Sequence, residues 1–302
     1  MDRHAQGILL IILSAIAFSS AGFFTRLIQL DAWTMLFWRG LFAGLMILCI
    51  IIVQKRRHTW SAIRAIGRPG IAAAICSTAA TFCYLNALRR TSVADVAVLF
   101  AVAPFITAGL GWLWLGVREA WTTLAASFVA VLGVSIMVGG AVTEGHLFGD
   151  ILAFGMALCM AIMMLIIRDH HETPMLPAAC LSALLCPLLV WPFAASFDVS
   201  TIDLLKLFLF GTTQFGLGLV FLTIGGQMVS ATENALINTL ETPLAVAWVW
   251  VCFAEVPTVA TLVGGIIVMA AVAGHIWQSN PEIWHLPLHR LWRRTAATLH
   301  IH

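Results

Sequence analysis

The chain is a succession of long apolar runs separated by short polar connections. The runs cover 7–26, 32–53, 70–88, 93–115, 121–141, 147–168, 175–197, 204–225, 231–253 and 258–277. Each is close to the ~20 residues that an α-helix needs to cross a bilayer. None breaks into the short alternating segments of a membrane β-barrel. Backbone polar groups in lipid must be satisfied within the protein, so helices are the remaining solution. The pattern predicts an all-α membrane protein with ten transmembrane helices. The first run follows Arg3 and contains the small residues Ser19, Ser20 and Ala21, as a signal peptide does. It is longer than a typical signal core and has a counterpart in the second half, so it is expected to remain as a span.

Composition agrees. Of 302 residues, 61% are apolar and 10% charged, with a mean hydropathy of +0.97. A soluble domain of this size needs a charged surface that these residues cannot supply. A net charge of +2 gives no basis for binding nucleic acid. The seven cysteines all fall within apolar runs, without C-x-x-C spacing, and read as packing residues. No cofactor or metal is expected. The tail 278–302 combines Pro281, Pro287, Arg290, Arg293 and Arg294 with Trp284, Leu291 and Trp292. It reads either as an amphipathic segment at the membrane surface or as a frayed end with anchoring tryptophans.

Lys and Arg set the expected orientation. With the N-terminus inside, Arg3, Lys55, Arg56, Arg57, Arg64, Arg68, Arg118, Arg168, Arg290, Arg293 and Arg294 are inner; Arg26, Arg89, Arg90 and Lys206 are outer. Both termini are therefore expected in the cytoplasm, and the membrane is expected to be a bacterial inner membrane.

The two halves echo one another. Thr91-Ser92-Val93-Ala94-Asp95-Val96-Ala97 leads to Pro104 in the fourth span, and Ser230-Ala231-Thr232-Glu233-Asn234-Ala235 leads to Pro243 in the ninth. Each is followed by an acidic residue, Glu119 or Glu255, and later by glycine, Gly133 in one half and Gly264 with Gly265 in the other. Ten spans thus divide into five and five. Because five is odd, the second half is inverted relative to the first. The expected division is 1–142, 143–277 and the tail. Inverted repeats suit alternating access around a site at the bilayer midplane.

These motifs resemble the drug/metabolite transporter superfamily in its ten-helix EamA-type branch. The resemblance rests on Ala17-Phe18-Ser19-Ser20 with Arg26 and Arg39, on Gly149-Asp150 with Arg168, and on Thr91-Ser92-Val93-Ala94 with Pro104. It rests most specifically on Ala235-Leu236, Glu241-Thr242-Pro243 and Ala254-Glu255-Val256-Pro257-Thr258. It covers about 7–277. The chain departs at Gly116-Val117-Arg118-Glu119, where the family usually places Glu directly after Gly, so no role is carried over to Glu119. Within the superfamily the sequence is most similar to bacterial exporters of aromatic and other apolar amino acids. The resemblance implies export of a small metabolite through a central cavity lined by both halves.

Several residues could line such a cavity. Pro104 and Pro243 each remove a backbone bond, freeing the carbonyls of Phe100 and Thr239 for a site or merely kinking the helix. Glu241 is an intramembrane carboxylate that could bind an ammonium, carry a proton or bond to backbone freed by Pro243. Arg39 could snorkel outward, bind a carboxylate or pair with an acid. Asp95, Glu233 and Asp150 stand at helix N-terminal ends, where capping is the default. His170 and His171, beside Asp169 and Glu172, read as a solvated loop rather than a metal site.

The third span is polar, with Ser77, Thr78, Thr81, Tyr84 and Asn86. So is the eighth, with Thr212, Thr213, Gln214, Thr223 and Gln227. Ser77, Thr81 and Tyr84 share a helix face, and the repeat places Tyr84 near Thr223. Such hydroxyls suit either a wet cavity or interhelix bonds. Asn238 joins the candidate lining. Phe100, Trp38 and Trp248 are candidate aromatic walls. Gly40 with Gly44, and Ala270 with Gly274, are expected at close helix approaches.

No Walker A or H-E-x-x-H pattern occurs, and the loops leave no room for an ATPase or signalling domain. The expected function is secondary transport, with no catalytic residues and with an amino acid as partner. Export of another metabolite or a drug-like cation, and a membrane-embedded enzyme, are the alternatives. Both repeats lie in one chain, so a monomer can form a whole site.

Overall fold

The computed structural model describes residues 3–55, 66–88, 90, 93–138, 147–171, 173, 175–193, 199–254 and 256–279. Thr91, Ser92, Glu172, Glu255 and the tail beyond Ser279 lie outside these. Among the described residues the secondary structure is helical throughout, in ten spans. The first comprises Arg3–Ser19 and Ala21–Leu27, the second Ala32–Lys55 and the third Gly67–Leu88. The fourth comprises Val93–Ala101 and Ala103–Leu115, the fifth is Trp121–Val138 and the sixth Leu147–Asp169. The seventh is Leu176–Val190 with a tight turn at Trp191–Phe193. The eighth runs Thr201–Leu209, Phe210–Gly216 and Leu217–Gly226; the ninth comprises Ala231–Asn238 and Glu241–Phe253; the tenth is Val259–Ser279. Among the described residues, nine helices are long and apolar enough to cross a membrane by themselves.

The inverted repeat appears in the packing. The third helix packs on the sixth, and the first packs on the eighth in the equivalent way. The third touches the seventh as the second touches the eighth, and the fourth touches the sixth as the first touches the ninth. The second packs on the seventh and the fifth on the tenth, each pair exchanging with itself. These are the pairings that a two-fold exchange of the halves requires.

Helices with no hydrophobic drive between them associate by close packing. A Cβ on Gly40 would come within 2.7 Å of Pro187 and 2.9 Å of the Ala183 carbonyl, and one on Gly44 would strike Leu184. On the fifth–tenth pair, a Cβ on Gly133 would sit 2.9 Å from the Gly264 carbonyl. The expectation for Ala270 and Gly274 is corrected. Both are exposed, with nothing near Gly274, because this face of the tenth helix points away from the bundle. Trp112, Trp114, Trp121 and Trp277 are exposed near the end that carries the N-terminus, and Trp191 and Trp250 near the opposite end, as interfacial belts require.

Among the described residues three helices are broken. The fourth breaks at Val102 with Pro104 just beyond, and the ninth breaks at Thr239–Leu240 before Glu241 and Pro243. These equivalent breaks follow from the missing proline N–H. The first breaks at Ser20, where Ser19 and Ser20 turn their hydroxyls back onto the carbonyls of Ile16 and Ala17, both at 2.7 Å.

Candidate functional site

The eighth helix contains one π-helical turn, Phe210–Gly216, closed by the Leu217 N–H donating to the Thr212 carbonyl five residues back. Thr212 and Thr213 favour it. Their hydroxyls donate at 2.7 Å to the carbonyls of Phe208 and Leu209, so these need no backbone partner. The widened turn brings Phe210 and Phe215 to one side. Over them lies the Arg39 guanidinium, 4.3 Å from the Phe215 centroid and 5.6 Å from that of Phe210. Close backbone approach permits this, since Cβ atoms on Gly211 and Gly216 would meet the second helix. Arg39 therefore points into the bundle, and the snorkelling expectation is corrected. π-turns recur at functional sites.

Arg39 faces company of opposite and neutral polarity. Glu241, Tyr84 and Cys186 are within its electrostatic reach, and Glu241 and Tyr84 are within reach of each other. Among the described residues neither Arg39 nor Glu241 enters an ion pair, and Arg39 Nε has no hydrogen-bond partner. Tyr84 is surrounded by protein yet 41% exposed. It borders internal space. Trp248, at the same broad level of the ninth helix, is 38% exposed and donates from Nε1 to Ser19 Oγ at 3.1 Å. This bond ties the ninth helix to the break in the first. Gln214 Nε2 reaches the Phe18 carbonyl at 3.3 Å, tying the π-turn to the same region.

Towards the end that carries the N-terminus the bundle closes. Ser182 Oγ donates to Ser77 Oγ at 2.6 Å, both hydroxyls buried. Around them is a cavity of about 20 Å³, lined in part by Ala73, Met163, Ala178, Leu219, Leu222 and Thr223. That is room for about one water. Thr223 thus lines this cavity together with Ser77, and Tyr84 is not part of its lining.

The remaining candidates are dispersed. Thr78 is buried and bonds back to the Ala74 carbonyl, and Thr81 bonds back to that of Ser77. Phe100 packs between the third, fourth and sixth helices with Ala80, Val96 and Met156. Pro104 is buried. Asn238 is buried, with its Nδ2 donating to Asn234 at 2.7 Å. Pro243 is buried, facing Gly265. Trp38 stacks on Phe42 at 5.5 Å, beside a cluster with Phe24, Leu207 and Phe210. Thr213 is exposed on the stripe of Leu205 and Leu209, the side of this mostly buried helix where every third or fourth position turns outward. The Thr239 carbonyl accepts from Thr242 N–H at 3.3 Å, so the proline leaves it engaged rather than open.

One cluster escaped the sequence reading. Ser230 caps the ninth helix by accepting from the Glu233 N–H at 3.1 Å. The Glu233 carboxylate instead meets His4 Nε2 at 2.7 Å and His275 Nε2 at 3.4 Å, joining the first, ninth and tenth helices. No local pattern links residues 4 and 233. His170 lies against Asp169 at 3.5 Å, partly exposed, and Asp150 stands in the first turn of the sixth helix. The side chain of Asp95 lies outside the described residues.

Comparison with known proteins agrees with this architecture. A solved crystal structure superposes with a TM-score of 0.76 at 14% identity, over 88% of this chain and 95% of the other, a likeness of fold. The pseudopaline exporter CntI of Pseudomonas aeruginosa (strain UCBPP-PA14) is 26% identical over 195 residues, which are 63% of this chain and 68% of that protein. The EamA-like transporter family matches twice, over 5–139 and 147–277. Each match holds five of the ten helices, so this multi-pass membrane protein belongs to the EamA-like transporter family.

Proposed function

We propose that the chain is a secondary transporter that exports amino acids, aromatic and other apolar ones favoured, from the cytoplasm by alternating access. The membrane in this reading is a bacterial inner membrane, with both termini cytoplasmic. The protein is not an enzyme, and one copy forms a complete site.

The supporting observation is an asymmetry along the bundle. Tyr84, about one turn from the outer end of the third helix, is accessible, whereas seven residues earlier Ser77 is sealed against Ser182. Seven residues of helix span about 10 Å, so an open and a closed half meet near the middle. In this reading the closed half faces the cytoplasm. The substrate occupies the space near Tyr84 and Glu241, with its apolar side chain against aromatic surface such as Trp248. The two halves then rock, opening one end as the other closes. The breaks in the fourth and ninth helices are where the helices flex.

Counterflow of radiolabelled amino acids into liposomes holding the purified protein, without an ion gradient, tests this. Uptake competed by phenylalanine, tryptophan or leucine is the expected result. Uptake only under a pH gradient would add proton coupling and point to Glu241. No uptake under either condition contradicts the amino-acid reading. The similarity to CntI favours a second reading, export of pseudopaline or a related metabolite, which belongs in the same competition panel.

A further inference from the structure

We propose that Arg39 and Glu241 form the two poles of a zwitterion site, Arg39 taking the carboxylate of the substrate and Glu241 its ammonium. This deepens the transport reading and rests on it for the substrate's passage, but not for its binding.

The first ground is the state of the two charges. An arginine and a glutamate inside a membrane bundle are costly unless paired. Here they are close enough to feel each other, yet no ion pair joins them. A purely structural pair offsets its desolvation only when the two charges are in contact. The separation is what a site needs if a small molecule with both charges is to bridge it.

The second ground is how Arg39 is held. Its guanidinium rests on the faces of Phe215 and Phe210, which the π-turn has brought together. A cation on an aromatic face keeps its in-plane N–H groups free. A planar fork so mounted suits a carboxylate, to which it can donate two parallel bonds. Arg39 is partly exposed as a residue, while its Nε is buried with no partner within the protein.

The third ground is access. Glu241 is partly exposed and Tyr84 more so, although protein surrounds both. Arg39 too is partly exposed, so each charge borders space on part of its surface. Phe210 and Phe215 are positioning residues: they orient Arg39 and are buried themselves.

The test is ligand-dependent thermal stabilisation of the purified full chain in detergent. Three probes suffice: L-phenylalanine, phenethylamine, which lacks the carboxylate, and 3-phenylpropionate, which lacks the ammonium. The wild type should bind L-phenylalanine at least about tenfold more tightly than either analogue. Arg39→Gln should lose the preference over phenethylamine and keep that over 3-phenylpropionate. Glu241→Gln should do the reverse. Phe215→Leu should weaken L-phenylalanine and 3-phenylpropionate together and leave phenethylamine unchanged. Should Arg39→Gln fail to fold, Arg39→Lys keeps the charge but not the fork, and should still lose affinity for the two carboxylates. A wild type that binds none of the probes, or does not prefer the zwitterion, overturns the assignment. So does an Arg39 variant whose discrimination is unchanged. Counterflow is read separately: discrimination without counterflow overturns transport and leaves this site standing, and counterflow with an unchanged Arg39→Gln pattern overturns the site alone.

Discussion

Ser182 on the seventh helix and Ser77 on the third share a buried 2.6 Å hydrogen bond that closes one half of the bundle. It joins elements of opposite repeats. A buried bond of this kind contributes about 0.5–1.5 kcal/mol. Ser182→Ala should therefore raise opening at this end by roughly two- to tenfold. Thiol labelling of Thr223→Cys, which borders the same cavity, measures it. An unchanged labelling rate would show that the bond does not hold the closure.

The ninth helix ends at Ala254 with φ +56°, and the fourth ends at Gly116 with φ +67°. The equivalent ends use the same left-handed turn, but one carries a Cβ. That conformation costs an L-residue roughly 1–2 kcal/mol. Ala254→Gly should stabilise the protein by about 1 kcal/mol and Gly116→Ala should destabilise it similarly. Melting in detergent decides.

Gly264 and Gly274 lie ten residues apart on the tenth helix, but only Gly264 is pressed against Gly133 and Met137. Gly264→Leu should destabilise by more than about 3 kcal/mol, since the fifth helix would have to move. Gly274→Leu should change stability by less than about 0.5 kcal/mol. Equal effects would contradict the assigned packing.

Replacing Pro104 and Pro243 with Ala restores an N–H at each break, letting the helices run through. The double variant should insert and fold while its transport falls. Transport at the wild-type rate would remove the breaks from the mechanism.

Span positions, the repeat and the paired proline breaks were legible because each depends on local composition or on proline's missing donor. Which face of a span turns inward was not. Lipid is as apolar as the protein interior, so an almost uniformly apolar helix gives no signal for its rotation. Thr213 and Gln214 are neighbours in sequence, yet one is exposed and the other buried. The π-turn and the break at Ser20 arise from hydroxyls bonding back to backbone, which Ser and Thr do in many contexts. The inward turn of Arg39 depends on Phe210 and Phe215, some 170 residues away in the chain, and the His4–Glu233–His275 cluster depends on equally distant residues.

The central claim, an interior reached from one side at a time, is tested most directly by sided labelling in vesicles. In a background with all seven native cysteines replaced, Tyr84→Cys and Thr223→Cys are each exposed to a membrane-impermeant maleimide from either side. The account predicts that Tyr84→Cys reacts only from the external side. It predicts that saturating L-phenylalanine lowers that reaction while raising the reaction of Thr223→Cys from the cytoplasmic side. Both positions reacting from both sides at once, or neither responding to substrate, would contradict it.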